Sequence, residues 1–226
     1  MADTNPAAGV IEHMEMFRHV APAQAAAIAS SARAVYARRG DTLVHRGERL
    51  TSLFAVGYGL LKLALRNSAG EEKVLRLVGP GETFGEVVLF LERPVPVDAV
   101  AVVDTMVAAV PAEMFLALID RDPRFARALL ASMSQRVHAL VTDFEAATLH
   151  GAAERLAAYL ESLAPPGSEP CAVRLPATKT VIASRLGMTK ETFSRLLREL
   201  TEAGLIRVEK GVIALLDRAR LHQAAS

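Results

Sequence analysis

The spacing of apolar residues changes along the chain and divides it into segments of different predicted structure. Between Val10 and Ala32 the apolar positions fit short helices. From Asp41 to about Val110 the apolar runs are short and glycine-rich turns separate them, with "NSAGEE" placed between "LLKLALR" and "KVLRLV" as in a hairpin. These runs, together with two strands in "VDAVAVVDTMVAAVP", predict an antiparallel sandwich or small barrel.

Helical spacing returns after Pro111. A short helix in "AEMFLALIDRDP" is followed by a long one from Pro123 to about His150. Apolar residues of the long helix alternate spacings of four and three over about three heptads, which favours a parallel dimer seam over a helix packed only on its own domain. Arg136 and Asp143 flank this seam and are expected to be solvated. The seam consists of Ala126, Leu130, Met133, Val137, Leu140, Phe144 and Ala147.

The last third of the chain changes from helices to a hairpin. A helix in "HGAAERLAAYLESLAPP" precedes a loop with one short strand, and two further helices meet at Gly187. The segment "LIRVEKGVIALLD" then predicts a β-hairpin with Lys210-Gly211 as its turn. Helix, helix–turn–helix and hairpin in this order are typical of a winged helix–turn–helix domain.

The second helix of that motif, in "TKETFSRLLREL", has two faces of different chemistry. The apolar face is expected to be buried. The other carries Glu191, Ser194, Arg195 and Arg198, which helical geometry places side by side. Glutamate can accept from cytosine, serine can bond several base edges and arginine can fork onto guanine, so this face predicts base reading in the major groove of DNA. The alternative is a solvated face with a Glu191–Arg195 ion pair.

Residues near the two helix starts are candidates for contacts with DNA phosphates, which fix a protein on the duplex without reading its sequence. Residues 177–200 contain five basic and two acidic residues, a modest basic surface in a chain whose formal net charge is only +1. The candidate phosphate contacts are Thr178, Lys179, Thr189, Lys190 and Arg198.

Composition and the lack of certain motifs argue against several other classes of protein. The single cysteine excludes an internal disulfide, and it excludes a four-cysteine zinc site or iron–sulfur cluster within one chain. Because there is no signal peptide and no apolar run of about 18 residues, a cytoplasmic protein without a membrane span is expected. No P-loop, G-x-S-x-G or H-E-x-x-H motif is present, so no enzyme is predicted. Cys171 falls in a polar loop, where a thiol could be reactive.

At this point the sequence resembles the Crp–Fnr superfamily of bacterial transcription regulators over nearly its whole length. The resemblance rests on "GDTLVHRGE", "LFAVGYGLLKL" and "GPGETFGEVVLF", and on the long seam and the winged motif. It implies an α+β fold with an N-terminal antiparallel β-roll like a cyclic-nucleotide-binding domain (1–122), a dimerisation helix (123–149) and a winged helix–turn–helix (150–226). It also implies a homodimer that binds palindromic double-stranded DNA and has RNA polymerase as a partner. The β-roll turns would be formed by Gly40, Gly47, Gly59, Gly81 and Gly85.

The recognition helix is most similar to that of the Fnr-type branch of the superfamily. "ETFSR" matches its E-x-x-S-R pattern, which reads half-sites of the TTGAT kind, and implies that Glu191, Ser194 and Arg195 read bases. The Crp branch shares the other positions, so Ser194 favours the Fnr type.

The effector is a separate question. The family's cyclic-nucleotide pocket uses a Gly-Glu pair, present here as Gly85-Glu86, and then an Arg-Ser pair, where this chain has Pro96-Val97. Since a buried cyclic phosphate needs a cation, this argues against cyclic AMP and gives Gly85 and Glu86 a turn and a structural hydrogen bond instead.

Other sensors of the family suggest different effectors. No cysteine cluster precedes the β-roll, so the iron–sulfur cluster of oxygen-sensing Fnr proteins is not expected. "GETFGEVVLFLERP" looks most like the haem-linked, nitric-oxide-responsive denitrification regulators, which makes haem with a diatomic gas a candidate effector. Two alternatives stay open: a regulator that binds another small molecule, and one that needs no ligand. Haem-ligand candidates are His13, His19 and His45, and beside them Met14 and Met16.

Overall fold

The computed structural model describes residues 5–18, 20–165 and 171–223 and separates into two compact units, residues 1–136 and 137–226. The boundary lies within the long helix, and each unit is described by itself. The first unit contains α1 (Pro6–His13), α2 (Pro22–Ser31), β1 (Arg33–Ala37), β2 (Thr42–Val44), β3 (Ser52–Tyr58), β4 (Leu61–Arg66), β5 (Glu72–Val78), β6 (Thr83–Phe84), α3 (Glu86–Leu91), β7 (Asp98–Ala101), β8 (Thr105–Pro111), α4 (Ala112–Arg121) and the first half of α5 (Pro123–Leu149).

Two antiparallel four-stranded sheets form the body of this unit. One has the strand order β1-β8-β3-β6 and the other β2-β7-β4-β5. Alternating residues of β8 pack into two different hydrophobic clusters. Val107 belongs to a cluster with apolar residues from both sheets, while Ala108 and Val110 pack with α1, α2, α4 and the start of α5. The predicted β-roll is therefore confirmed, with helices covering one of its faces.

The glycines expected at turns all have backbone angles in the left-handed region, with φ between 81° and 103°. The tightest of them is Gly59. A Cβ atom at this position would lie 2.6 Å from the carbonyl oxygen of Asp104 and from the Cα of Thr105. Both the conformation and the space therefore require glycine there.

Two elements of this unit differ from the prediction. The sequence pattern predicts strands only from Asp41 onward, whereas β1 already begins at Arg33 and pairs along its whole length with β8. The apolar run after Gly85 is also predicted to be extended, but Glu86–Leu91 is a short helix, α3. Its length of six residues is too short for helical periodicity to be visible, and its valines favour a strand reading.

The second unit contains the end of α5, then α6 (Ala152–Ser162), β9 (Cys171–Arg174), α7 (Lys179–Arg185), α8 (Lys190–Glu202), β10 (Ile206–Glu209), β11 (Val212–Leu215) and α9 (Arg218–Gln223). Its core is built from Leu156, Leu160, Ile182, Phe193, Leu197, Ile206, Ile213 and Leu221. The hairpin β10–β11 turns at Lys210 and Gly211, which have φ of 47° and 80°, as a two-residue primed turn requires. The winged helix–turn–helix is thus confirmed.

Strand β9 extends the hairpin to a three-stranded sheet of order β10-β11-β9. It places Cys171 opposite Leu215, with the cysteine only 5% exposed. The expectation of a reactive cysteine in a polar loop is therefore wrong, because the residue is the first of a paired strand and faces the core.

Candidate nucleic-acid interface and effector region

Helix α8 presents its polar face to solvent, as its sequence pattern predicts. Thr189 caps the helix, its side chain accepting a hydrogen bond from the Thr192 amide at 3.2 Å. The turn before it contains Gly187 in the left-handed conformation, with φ of 68°. The apolar face is buried as expected and comprises Phe193, Leu196, Leu197 and Leu200. These contacts fix which side of the helix is available to DNA.

The predicted base-reading residues lie together on that available side. Glu191 and Arg195 are exposed and Ser194 is half-buried. The ion pair considered as an alternative, between Glu191 and Arg195, is not the one that forms. Arg195 Nη1 instead lies 2.6 Å from Glu199 Oε1, one turn toward the C-terminus. Arg195 can leave this exposed ion pair and bind a base instead at little cost in free energy, because surface ion pairs contribute at most about 1 kcal/mol to stability.

The candidate phosphate-binding residues lie at the starts of both helices of the motif. Thr178 caps α7, its hydroxyl accepting from the Val181 amide at 3.4 Å, and Lys179 follows it directly. Lys190 has the same position after the cap of α8. Both lysines and Arg198 are exposed and, in the part of the chain that the structure describes, have no ion-pair partner. Two helix starts beside unpaired lysines suit the binding of phosphate groups.

The helix–turn–helix is attached to the end of α5 through arginine contacts that the sequence did not indicate. Arg155 donates from Nε to the carbonyl of Leu186 at 2.9 Å and from Nη1 to the carbonyl of His150 at 2.6 Å. Asp143 is exposed as expected, and its carboxylate lies 3.6 Å from the guanidinium of Arg185. The contacts of Arg155 with Leu186 and of Asp143 with Arg185 join different elements, so no local sequence pattern shows them.

The same region contains a half-buried phenol, that of Tyr159. Burial raises the pKa of Tyr159 above its ordinary value, and the positive charge of Arg185 partly offsets this shift. Tyr159 is therefore neutral at neutral pH.

The effector region centres on Gly85 and Glu86. Gly85 has φ of 103° and precedes α3, while Glu86 is only 2% exposed. The Thr83 hydroxyl and the Arg136 guanidinium both donate to the Glu86 carboxylate, and Arg136 Nη2 lies 2.9 Å from Thr83 Oγ1. The predicted turn and structural hydrogen bond are confirmed. The expectation that Arg136 is solvated is wrong, because its side chain reaches back to this carboxylate.

The position where the family's nucleotide pocket has its Arg-Ser pair is apolar here. Val97 packs against the cluster between the two sheets, and Pro96 is exposed. Arg93, which lies nearby in sequence, is exposed. No side chain at positions 96 and 97 can neutralise a phosphate, which agrees with the sequence argument against cyclic AMP.

The candidate haem ligands occupy unrelated environments. His13 is exposed on α1, with Nδ1 2.7 Å from the Gly9 carbonyl, and His45 is exposed just after β2. Met14 is 3% exposed in the core and Met16 packs against the same core, while His19 lies outside the described residues. Among residues 5–18, 20–165 and 171–223, no three His, Cys, Asp or Glu side chains are grouped as a metal site. Haem binding stays a prediction.

The predicted seam of α5 is left uncovered in the single chain. Its large apolar side chains are between 58% and 72% exposed, with the exception of Met133, which packs against the core of the first unit. Solvent-exposed apolar residues in a stripe along a 27-residue helix form an apolar surface that nothing in the described part of the chain covers. The exposed members are Leu130, Val137, Leu140 and Phe144.

A β-roll, a long helix with a bare apolar stripe and an exposed recognition helix define a DNA-binding transcription regulator with an effector-binding domain. Comparison with known families agrees. Residues 34–122 match the cyclic nucleotide-binding domain and residues 154–224 match the Crp-like helix-turn-helix domain. The chain belongs to the Crp/Fnr family of transcription regulators.

Individual relatives come from both branches of the family. The chain is 32% identical over 187 residues to the cyclic AMP receptor protein of Thermus thermophilus, covering 83% of this chain and 85% of that protein. It is 28% identical over 192 residues to the fumarate and nitrate reduction regulatory protein of Vibrio cholerae, covering 83% and 76% respectively. The structure of FixK2 from Bradyrhizobium japonicum has the same fold, with a TM-score of 0.75 at 24% identity over 86% of this chain and 98% of that one. No helix among the described residues is long and apolar enough to cross a membrane.

Proposed function

We propose that the protein is a homodimer that reads a palindrome of TTGAT-type half-sites. The observation that carries this proposal is the exposed face of α8, where Glu191, Ser194 and Arg195 lie together in the first half of a capped helix. The N-terminal half of a recognition helix is the part that reaches base edges in the major groove. Thr178, Lys179, Thr189, Lys190 and Arg198 would hold the flanking phosphates.

Dimerisation through α5 supports the palindrome. Two copies of one chain related by a two-fold axis present two identical recognition helices, which match two inverted half-sites. The bare stripe from Leu130 to Phe144 supplies the apolar surface that such a pairing buries. We propose the corresponding division of the chain into a β-roll of residues 1–122, a dimerisation helix of 123–149 and a DNA-binding domain of 150–226, with RNA polymerase as a partner on the promoter.

The β-roll would respond to an effector other than cyclic AMP. Pro96 and Val97 provide no cation for a cyclic phosphate, and Glu86 already has Thr83 and Arg136 as partners. Because the Glu86 carboxylate is already paired, the structure also favours a regulator that binds its DNA site without any effector. Titration of the purified protein with cyclic AMP in a calorimeter, and DNA binding without any additive, separate the candidates.

The DNA proposal is tested by selection from a random pool. The full-length protein is incubated with randomised duplexes, the bound fraction is sequenced, and the enriched motif is compared with an inverted TTGAT repeat. Enrichment of a palindrome with the two half-sites about one helical turn apart is the expected result. Enrichment of a Crp-type half-site, or of no motif, would contradict the role given to Ser194 or to the whole reading face.

A further inference from the structure

The outer face of the three-stranded sheet in the second unit contains a groove that the DNA-reading proposal does not use. Along β9 and β11, residues alternate between the buried core and this face, while in β10 only Ile206 is buried. The groove has a volume of about 420 Å³. We call it the wing groove, and it is lined by Ala172, Arg174, Arg207, Glu209, Lys210, Val212 and Ala214.

The register of the strands explains why a groove forms there. Ala214 of the central strand pairs with Ala172 on one side and with Arg207 on the other, and Val212 pairs with Arg174 and Glu209 in the next row. Small side chains therefore form the floor, and long charged side chains form the rim. A floor of alanine and valine is apolar, which distinguishes this groove from an ordinary solvated sheet face.

The rim of the wing groove has an excess of positive charge. Arg207 Nε lies 3.0 Å from Glu209 Oε1, so these two residues balance each other. Arg174 and Lys210 have no ion-pair partner within the described part of the chain, and both are exposed. Two cations that lack such a partner among the described residues thus flank an apolar floor.

The wing groove faces away from the side of the sheet that packs on α8. Ile206 and Ile213 point to the core shared with Phe193, whereas their neighbours Arg207, Val212 and Ala214 line the groove. The groove is therefore formed by the opposite face of the same sheet and is separate from the reading residues of α8.

We propose that the wing groove docks an acidic segment of a partner protein. Carboxylates of the segment pair with Arg174 and Lys210, and a small apolar side chain between them lies on the floor of Ala172, Val212 and Ala214. A protein segment fits this lining better than a DNA backbone does. A phosphodiester has no apolar group for the floor to cover, whereas a protein segment can place a small apolar side chain there.

The test uses the full-length protein and a fluorescein-labelled short synthetic peptide of alternating glutamate and valine, with binding followed by fluorescence anisotropy. Two variants remove the groove in different ways. Arg174→Gln with Lys210→Asn removes the two cations, and asparagine tolerates the left-handed backbone of position 210. Ala214→Phe fills the floor without any change of charge. Arg220→Gln, which removes an exposed cation of α9 outside the groove, is the matched control.

We expect both groove variants to weaken peptide binding by at least about tenfold, while Arg220→Gln binds like the natural protein. Affinity for the selected DNA palindrome should be unchanged in all of them, and a lysine–valine peptide should not bind. Equal peptide binding by all variants, or no binding by the natural protein, overturns the proposal. A loss of DNA affinity with a smaller salt dependence in the double variant would assign the groove to DNA and also overturn it.

Discussion

The guanidinium of Arg136 donates to the carboxylate of Glu86, a buried residue 50 positions earlier in the chain. The pair joins the middle of α5 to the start of α3. A carboxylate that is 2% exposed depends on its partners, because an unpaired charge in the protein interior is unfavourable.

Arg136→Met should therefore lower the free energy of unfolding of the first unit by about 3 kcal/mol, because it leaves the Glu86 carboxylate buried with only Thr83 as a partner. Adding Glu86→Gln should restore part of this loss, since the charge is then removed as well. Urea denaturation of the single and double variants measures both effects. Strictly additive losses in the double variant would show that the two side chains are not coupled.

Arg195→Ala should reduce affinity for a TTGAT-type palindrome by a factor that corresponds to about 1–3 kcal/mol per half-site, because the fork to guanine is lost. Binding to unrelated DNA should change little. Glu199→Gln is the matched control: it removes only the 2.6 Å ion pair that holds Arg195 and should leave specificity intact. Competition binding with mutated half-sites measures the difference. Unaltered preference in Arg195→Ala would show that another residue reads that base pair.

Lys190→Ala should weaken binding to specific and unrelated DNA alike. Because a phosphate contact releases counterions, the slope of log affinity against log salt concentration should fall by roughly one for each half-site contacted. Affinity measured over a series of salt concentrations gives this slope. A loss confined to one sequence would instead place Lys190 among the base-reading residues.

Leu140→Glu should convert the proposed dimer to monomers, because it places a charge in the apolar stripe of α5, where Leu140 is 58% exposed in the single chain. Ala139→Glu introduces the same charge one residue away, outside the seam, and should stay dimeric. Sedimentation velocity distinguishes the two states. A dimeric Leu140→Glu protein that still binds the palindrome would show that the stripe is not the interface.

Gly59→Ala should destabilise the first unit by roughly 2–5 kcal/mol, combining a strained backbone with overlap against Asp104 and Thr105. Gly40→Ala has nearly the same φ, 92° against 90°, but nothing lies within 4 Å of its new Cβ. The difference between the two variants in thermal unfolding measures the overlap alone. Equal losses would mean that the neighbouring chain moves aside without cost.

Local rules were sufficient where neighbouring residues determine the structure. The glycine turns and the buried face of α8 depend on residues within a few positions, and both were predicted. Element α3 was missed because six residues with two valines show no helical period. Strand β1 was missed because its pairing with β8 depends on residues some 70 positions away, which no local pattern shows.

The candidate site shows the same difference between features set by neighbouring residues and features set by distant ones. Which residues of α8 face solvent follows from helical spacing, whereas the partner of Arg195 is a choice between Glu191 and Glu199 that depends on side-chain conformation. Arg136 and Asp143 were both expected to be solvated, and each forms an ion pair, although Asp143 is also exposed. Their partners, Glu86 and Arg185, come from other elements, and only the folded chain brings them together.

The burial of Cys171 makes the natural chain suitable for site-directed labelling. Its only thiol is 5% exposed within a paired strand, so maleimide and nitroxide reagents should react with it slowly in the folded state. A cysteine introduced at an exposed site such as position 139 would then be the single fast-reacting group. Distances between two such labels in a dimer could be followed with and without DNA, in a protein that needs no prior removal of native cysteines.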